Sequence, residues 1–295
     1  MSTGKLTMGD RPFTALGRKF MFTESEWNPK VFLGRVLTAL LPTTTLHSLK
    51  RSYYCLLLQH LDDTWQEQDA ALLKHLVHPG DCAVDIGASI GGFTKLLSCI
   101  VGPQGRVYSF EPNPPTYDFL AYNVLHLGLA NVELFQCALS QEEGTVTMTI
   151  PHYRWGSECH YDATLENGRG DPDYRKIPVR ATTMDAVFAT QRKPITFIKC
   201  DVNYHELACL TGGSQTLSRF RPALLVEVLP NPDRTGSPAA KVFELLYGNG
   251  YSAYWFDGRS LHKRQAGERS QNYFFLTDQH VQLLPSDILF DGTKH

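Results

Sequence analysis

The sequence predicts an α/β protein: a mainly parallel sheet flanked by helices and preceded by a helical extension. Three observations carry this. Short apolar runs alternate with amphipathic stretches from Cys82 to Leu276, and alternating β and α units demand a mainly parallel sheet. The first run, Cys82 to Ile86, leads straight into the turn Gly87-Ala88-Ser89-Ile90-Gly91-Gly92, where glycines let backbone approach a ligand closely. The second run, Arg106 to Phe110, ends in Glu111, about twenty residues beyond Gly91. At that offset an acidic side chain meets a nucleotide ribose.

The elements follow in order. The polar leader, Met1 to about Thr23, is expected to be disordered. A helical region follows, in which Tyr54, Leu57, Leu58 and Leu61 recur at helical spacing. We therefore divide the chain into a leader and helical extension over 1–63 and a main domain over 64–295. Leu72, Leu73, Leu76 and Val77 make a second helical stripe, which Pro79-Gly80 ends. After the first strand comes a helix from Phe93 to Cys99, and after the second a helix from about Tyr117. Val132 to Gln136 reads as a strand, Gly144 to Ile150 as a hairpin-like interruption, and Pro151 to Lys176 as a long loop. A strand near Ile177 to Ala181 precedes a short helix from Met184. Then come strand Ile195 to Cys200, one helix from about His205 to Arg219, strand Ala223 to Leu229, and a helix over Ala239 to Tyr247. Strands Tyr251 to Phe256 and Tyr273 to Leu276 complete the pattern.

Composition bounds the function. The 295 residues carry 28 basic and 30 acidic side chains, a net charge of −2, with no basic block to suggest a nucleic-acid track. Seven scattered cysteines without a C-x-x-C pair indicate neither a zinc framework nor a disulfide scaffold, and fit a reducing cytoplasm. Met1 to Asp10 lacks a signal-peptide layout, and the apolar run Val31 to Leu41 is too short for a membrane span. In the long loop, His152, His160 and Asp162 are spaced too irregularly to make a metal site, so no metal is expected.

Gly87 and Gly91 alone would fit a plain strand-to-helix turn, but with Glu111 they imply a nucleoside cofactor, and the details select among such cofactors. A dinucleotide fingerprint needs G-x-G-x-x-G for a pyrophosphate. Here the spacing is Asp85-x-Gly87-x-Ser89-x-Gly91, with a carboxylate ahead of the turn. That carboxylate would repel a pyrophosphate and suits the cationic ammonium and sulfonium of S-adenosylmethionine.

From Gly80 to about Val228 the chain resembles the FkbM-type family of S-adenosylmethionine-dependent methyltransferases. The carrying residues are Pro79-Gly80-Asp81, Asp85 to Gly92, Phe110-Glu111-Pro112-Asn113-Pro114, Ala138-Leu139-Ser140, Lys199-Cys200-Asp201-Val202 and Val226-Glu227-Val228. The resemblance implies a class I methyltransferase, a Rossmann-like seven-stranded mainly parallel sheet in the order 3-2-1-4-5-7-6. It also implies a last strand inserted antiparallel and, most often, O-methylation of sugar or natural-product hydroxyls. One segment departs from the family pattern. After Lys-x-Asp-Val the family has Glu-Gly-x-Glu, whereas this chain has Asn203-Tyr204-His205-Glu206.

Ligands of open α/β sheets bind outside the carboxyl ends of the strands, which gathers Asp85, Glu111, Ala138 and Asp201 on one rim. Asp85 is expected to anchor the methionine ammonium, directly or by water, beside Gly87, Ser89 and Gly91. Glu111 would accept both ribose hydroxyls, with Pro112 and Asn113 shaping the adenine side and Ala138 presenting backbone to the ring. Asp201 is the best-placed base for an acceptor hydroxyl, and His205, at a helix start, a second candidate. Lys199 alternates with Asp201 on the same strand face. Trp155 in the long loop, with Asn203 and Tyr204, would contact the acceptor.

The partner expected is a small hydroxylated molecule, with no nucleic acid and no membrane. The N-terminal helical stripe would serve as a cap over the acceptor or as a contact in a homo-oligomer. Two other readings stay open. The altered segment could mark a protein that binds the cofactor with weakened catalysis. An N- or RNA-methyltransferase is the other, although the chain lacks an Asn/Asp-Pro-Pro-Tyr/Phe motif and a basic track.

Overall fold

The computed structural model describes residues 41–60, 68–151, 163–165 and 174–290. The expected division at Asp63, and with it Leu61 of the helical stripe, falls outside the described residues.

Helix α1 (Thr43–Gln59) and helix α2 (Ala70–Leu76) precede the sheet. Strand β1 (Cys82–Ile86) is buried along its whole length and runs into α3 (Gly92–Val101). Strand β2 (Arg106–Phe110), helix α4 (Pro114–His126) and strand β3 (Val132–Phe135) follow. Helix α4 starts three residues before the expected Tyr117, because proline is well accommodated in a first helical turn. Strands β4 (Ala138–Leu139), β5 (Gly144–Pro151) and β6 (Tyr174–Thr182) make a separate small sheet in the order β4-β6-β5. The main sheet resumes after α5 (Met184–Phe188) with β7 (Ile195–Cys200). Then come α6 (Glu206–Thr211), α7 (Ser214–Phe220), β8 (Ala223–Glu227) and α8 (Pro238–Gly248). Strands β9 (Ser252–Phe256), β10 (Leu261–Lys263) and β11 (Asn272–Leu276) precede α9 (Asp278–Leu283).

Among the described residues, eight strands form the main sheet in the order β10-β9-β11-β8-β7-β1-β2-β3. Ladders β7–β8, β7–β1, β1–β2 and β2–β3 are parallel, and β11 lies antiparallel to both β8 and β9. The expected seven strands stand in the expected order with β11 inserted as anticipated. The sheet is nonetheless mixed and has an eighth strand, β10, added as a hairpin on β9. Its turn is built by Asp257, whose Oδ1 accepts from the N–H groups of Arg259 (2.8 Å) and Ser260 (2.7 Å). The outer edge of β10 is occupied in turn: Leu261 N–H donates to Ile288 O and Phe290 N–H to Leu261 O.

Strand alternation divides the core. Val84, Ile86, Cys200, Leu224 and Val226 pack under α6, α7 and α8, while Ala83, Val107, Phe197, Leu225 and Phe274 pack under α2 and α3. The single helix expected from His205 to Arg219 is broken into α6 and α7. At Gly212 a Cβ would collide with the Ser140 carbonyl, and at Gly213 it would meet Met184 Sδ at 2.7 Å, so the chain turns on two glycines where another segment crosses closely. No helix among the described residues is long and apolar enough to cross a membrane.

Helix α1 docks on α4 and on the glycine turn. Leu58 packs with Ile90 and Phe119, flanked by Tyr54 and Leu127. His47 Nε2 lies 2.7 Å from Asp118 Oδ2, and the Arg51 guanidinium sits 4.4 Å from the Tyr122 ring centre. Lys95 Nζ donates to Leu58 O (2.6 Å), tying the end of α1 to α3. The opposite face leaves Leu56 exposed. Leu58→Ala should therefore cost about 2–3 kcal/mol in denaturant unfolding, and Leu56→Ala less than about 0.5 kcal/mol. Equal effects would mean that this helix presents a different face to the body of the protein.

Candidate functional site

The glycine turn is fixed by what surrounds it. Gly87 and Ala88 both donate their N–H groups to Phe110 O at 3.0 Å, and Asp201 N–H donates to Ile86 O at 3.0 Å. The turn passes through left-handed backbone at Gly87 (φ +79°), Ser89 (+52°) and Gly91 (+97°). A Cβ on Gly87 would collide with the Asp201 carbonyl and meet Val202 Cγ1 at 3.5 Å. Strand β7 thus leaves the sheet directly over the turn, and only glycine admits so close a crossing.

Asp85 lies beneath this turn and not on its surface. It is fully buried. Its Oδ2 accepts from Thr94 Oγ1 (2.6 Å), and the same hydroxyl lies 2.9 Å from Ser109 Oγ. In register, Asp85 faces Ser109 on β2 and Lys199 on β7. Burial raises the Asp85 carboxyl above the usual range, with Lys199 and the Thr94 hydrogen bond opposing. Alternation places this side chain correctly on the α3 face but does not report its depth. Asp85 Oδ1 and Ser89 Oγ are buried polar atoms with no hydrogen-bond partner among the described residues. Such atoms call for a ligand or an ordered water.

Glu111 bridges the turn and the start of α4. Its Oε2 accepts from Ser89 N–H (3.0 Å) and its Oε1 from Asn113 N–H (2.9 Å). Burial pushes its carboxyl up to about 7, against those two bonds. Each oxygen keeps a further lone pair. Pro112 is half-buried and Asn113 buried beside it. Ala138 sits in the small sheet, paired with Ala181 of β6, and is likewise buried.

Beyond β7 lies a group of carboxylates around one lysine. Lys199 Nζ donates to Asp201 Oδ2 at 3.0 Å and lies 4.8 Å from the Phe93 ring centre. Glu227, at the tip of β8, is held well above the usual carboxylate range by burial and by its hydrogen bond to Asp201. Glu227 was not among the site residues expected from sequence, although its place at a strand end matches that of Asp201. Glu206 is buried too, and burial with the nearby Asp201 charge pushes it up to about 7. Its Oε1 accepts from Val202 N–H (3.3 Å) and Tyr204 N–H (3.1 Å).

The departing segment adopts an uncommon backbone. Asn203 (φ +49°) and Tyr204 (φ +76°) are both left-handed. For a residue as bulky as tyrosine this costs about 1–3 kcal/mol. His205 precedes α6, as expected, and its Nε2 lies 3.1 Å from Ser140 Oγ. Burial holds the imidazole below its usual range, so it is neutral at neutral pH. Trp155, the remaining expected acceptor contact, lies outside the described residues, as do His152, His160 and Asp162.

Residues 85–253, more than half of the chain, match the model of the methyltransferase FkbM domain. Methyltransferase sdnD of Sordaria araneosa is 40% identical over 153 residues, which cover 44% of this chain and 59% of that protein. The 31-O-demethyl-FK506 methyltransferase FkbM of Streptomyces tacrolimicus is 35% identical over 102 residues, 34% of this chain and 35% of that protein. The chain spans about half the length of the curated relatives it matches. Among solved structures, methyltransferase FkbM from Methylobacillus flagellatus KT is similar at 16% identity, covering 75% of this chain and 57% of that one, with a TM-score of 0.41.

The raised carboxyls set a pH dependence. Glu206 titrates at about 7 in the folded protein against an ordinary value of 4.5. The folded state therefore holds more protons than the unfolded chain, and the stability that this contributes is lost as pH rises through about 7. Glu111 acts in the same direction. This loss runs from about pH 4.5 to 7, where the lowered His75, His205 and His280 act in the opposite direction. The test is therefore the difference between wild-type and variant melting temperatures across that range. Glu206→Gln, which keeps an acceptor for both N–H groups, should lose less stability than the wild type as pH rises. Parallel melting curves across this range would exclude the assignment.

Proposed function

The chain belongs to the FkbM methyltransferase family, and from that premise we propose that it is an S-adenosylmethionine-dependent O-methyltransferase. The acceptor is a hydroxyl of a sugar or other small natural-product metabolite. The observation that carries the cofactor reading is the pairing of the left-handed Gly87–Gly91 turn with a buried Glu111 bound to the turn's own backbone. For oxygen as acceptor atom, the 31-O-demethyl substrate in the name of the Streptomyces relative gives support.

S-adenosylmethionine supplies a methyl group on a sulfonium, with a neutral thioether as leaving group. The residues fit its parts. Gly87, Ser89 and Gly91 would take the methionine end against backbone, with Ser89 Oγ as an available polar atom. Asp85 would anchor the ammonium from below the turn, directly or by water, and a cation there would favour its ionised form against burial. The remaining lone pairs of Glu111 would accept the ribose hydroxyls, while Pro112, Asn113 and Ala138 bound the adenine side.

Asp201 takes the acceptor hydroxyl proton in this reading. One of its oxygens is oriented by Lys199 Nζ at 3.0 Å, and Glu227 holds it from β8. Such fixation serves the alignment that in-line displacement requires. His205, neutral and beside Ser140, is the second candidate base. Asn203, Tyr204 and Trp155 would meet the acceptor. The extension over 1–63 would cap it or join a second copy, beside the domain over 64–295. A protein that binds the cofactor without turnover is separated from an enzyme by release of S-adenosylhomocysteine.

Glu111→Ala should weaken S-adenosylmethionine binding in calorimetry by roughly ten- to a hundred-fold. Unchanged affinity removes Glu111 from the site, and a preference for NAD overturns the cofactor reading. Asp201→Asn should lower turnover by about 10²–10⁴-fold while cofactor affinity stays nearly intact. Full activity both in that variant and in His205→Ala would leave alignment alone to drive the transfer.

A further inference from the structure

Tyr204 holds a backbone conformation that its side chain disfavours and that no described neighbour rewards. Its φ is +76°, directly after Asn203 at +49°. The main chain here is tied from two sides. Glu206 Oε1 accepts from Val202 N–H and Tyr204 N–H. From the other side, Thr164 Oγ1 donates to Asn203 O (2.7 Å), and Asn203 Nδ2 donates to Ala163 O (3.1 Å). None of these bonds involves the phenol. The Tyr204 side chain is among the exposed large hydrophobics, at 38%. It has no hydrogen bond, ion pair or ring contact among the described residues. Glycine would adopt the same turn without strain. The bonds therefore hold a turn that the ring makes harder to form. Strained backbone of this kind gathers at ligand clamps.

The position of the turn bears on the role of the ring. Asp201 and Val202 pass directly over Gly87, and Tyr204 follows two residues later. Tyr204 thus stands three residues past the carboxylate proposed as base, on the segment that leaves the turn proposed to hold the cofactor, with its ring exposed. A rigid aromatic ring gives a large stacking surface at small entropic cost. Asn203 adds no charge to it.

We infer that Tyr204 is the acceptor-recognising residue of this site, a platform on which an acceptor stacks an aromatic or similarly flat ring carried near its reactive hydroxyl. This rests on the methyl-transfer reading above.

Calorimetry and thermal melts on the wild type, Tyr204→Gly and Tyr204→Phe test it. S-adenosylhomocysteine is titrated first. If the wild type does not bind it, the cofactor reading fails and this inference falls with it, before any acceptor is added. The protein saturated with S-adenosylhomocysteine is then titrated with 4-nitrophenyl β-D-glucopyranoside and with methyl β-D-glucopyranoside, the same sugar with and without a flat ring. In the wild type the aryl glycoside should bind about ten-fold more tightly or better. Tyr204→Phe should keep that preference, and Tyr204→Gly should reduce it to about two-fold or less. The glycine variant should bind S-adenosylhomocysteine like the wild type and melt at the same or a higher temperature. The inference is overturned if the wild type shows no aryl preference, including the case in which it binds neither glycoside. It is equally overturned if the preference survives in Tyr204→Gly, or if that variant melts several degrees lower, since the ring is then a packing element.

Discussion

The structure turns on a carboxylate buried at the sheet's tip. Asp85 has no access to water, and a buried charge is costly unless its surroundings answer it. Here the answer comes from three elements: Thr94 on α3, Ser109 on β2 beyond that hydroxyl, and the charge of Lys199 on β7. That set fixes where α3 begins relative to β1, and so where the glycine turn lies between them. Ser89, in that turn, binds Glu111, so the position of the second acidic group follows from the first. Removing Asp85 would leave a lysine without one of its counter-charges and a threonine without its acceptor. Groups that lose partners in this way account for most of the cost of breaking a buried polar set.

A second constraint joins the two sides of the site. The Asp201 carbonyl passes so near Gly87 that no side chain fits between them. Asp201 therefore stands at the turn as a matter of backbone geometry, with Glu206 bound to the main chain that follows it. Burial, with the neighbouring Asp201 charge, holds Glu206 and Glu227 above the ordinary carboxylate range. The region thus carries protons near neutrality where the sequence alone suggests a uniformly anionic rim. Cations arriving there compete with those protons.

The framework was legible because its signals are local. Strand β1, the turn, β2 and Glu111 follow from periodicity, glycine spacing and one acidic offset. What escaped the sequence depends on contacts between distant segments. The break between α6 and α7 comes from Ser140 and Met184 pressing on Gly212 and Gly213, and two adjacent glycines were its only trace. Strand β10 left only Asp257-Gly258 after the apolar run Tyr254 to Phe256 as a trace, because its own residues, Leu261-His262-Lys263, are mostly polar. Alternation gave the face of Asp85 but not its depth, and it gave no reason to join Glu227 to Asp201. Least legible was the backbone at Tyr204, since residue type argues against a left-handed tyrosine.

The two margins of the main sheet also differ in what they offer to another chain. Strand β3 is four residues long and β10 three. The outer side of β10 is already taken by main-chain bonds with Ile288 and Phe290. A foreign strand arriving at that margin finds Leu261 spoken for, and at β3 it finds room for few rungs. Short or covered margins are how sheet proteins resist growing into ladders and fibres. The final segment of the described chain, which touches none of the residues assigned to chemistry, thus acts as a selvedge for the sheet.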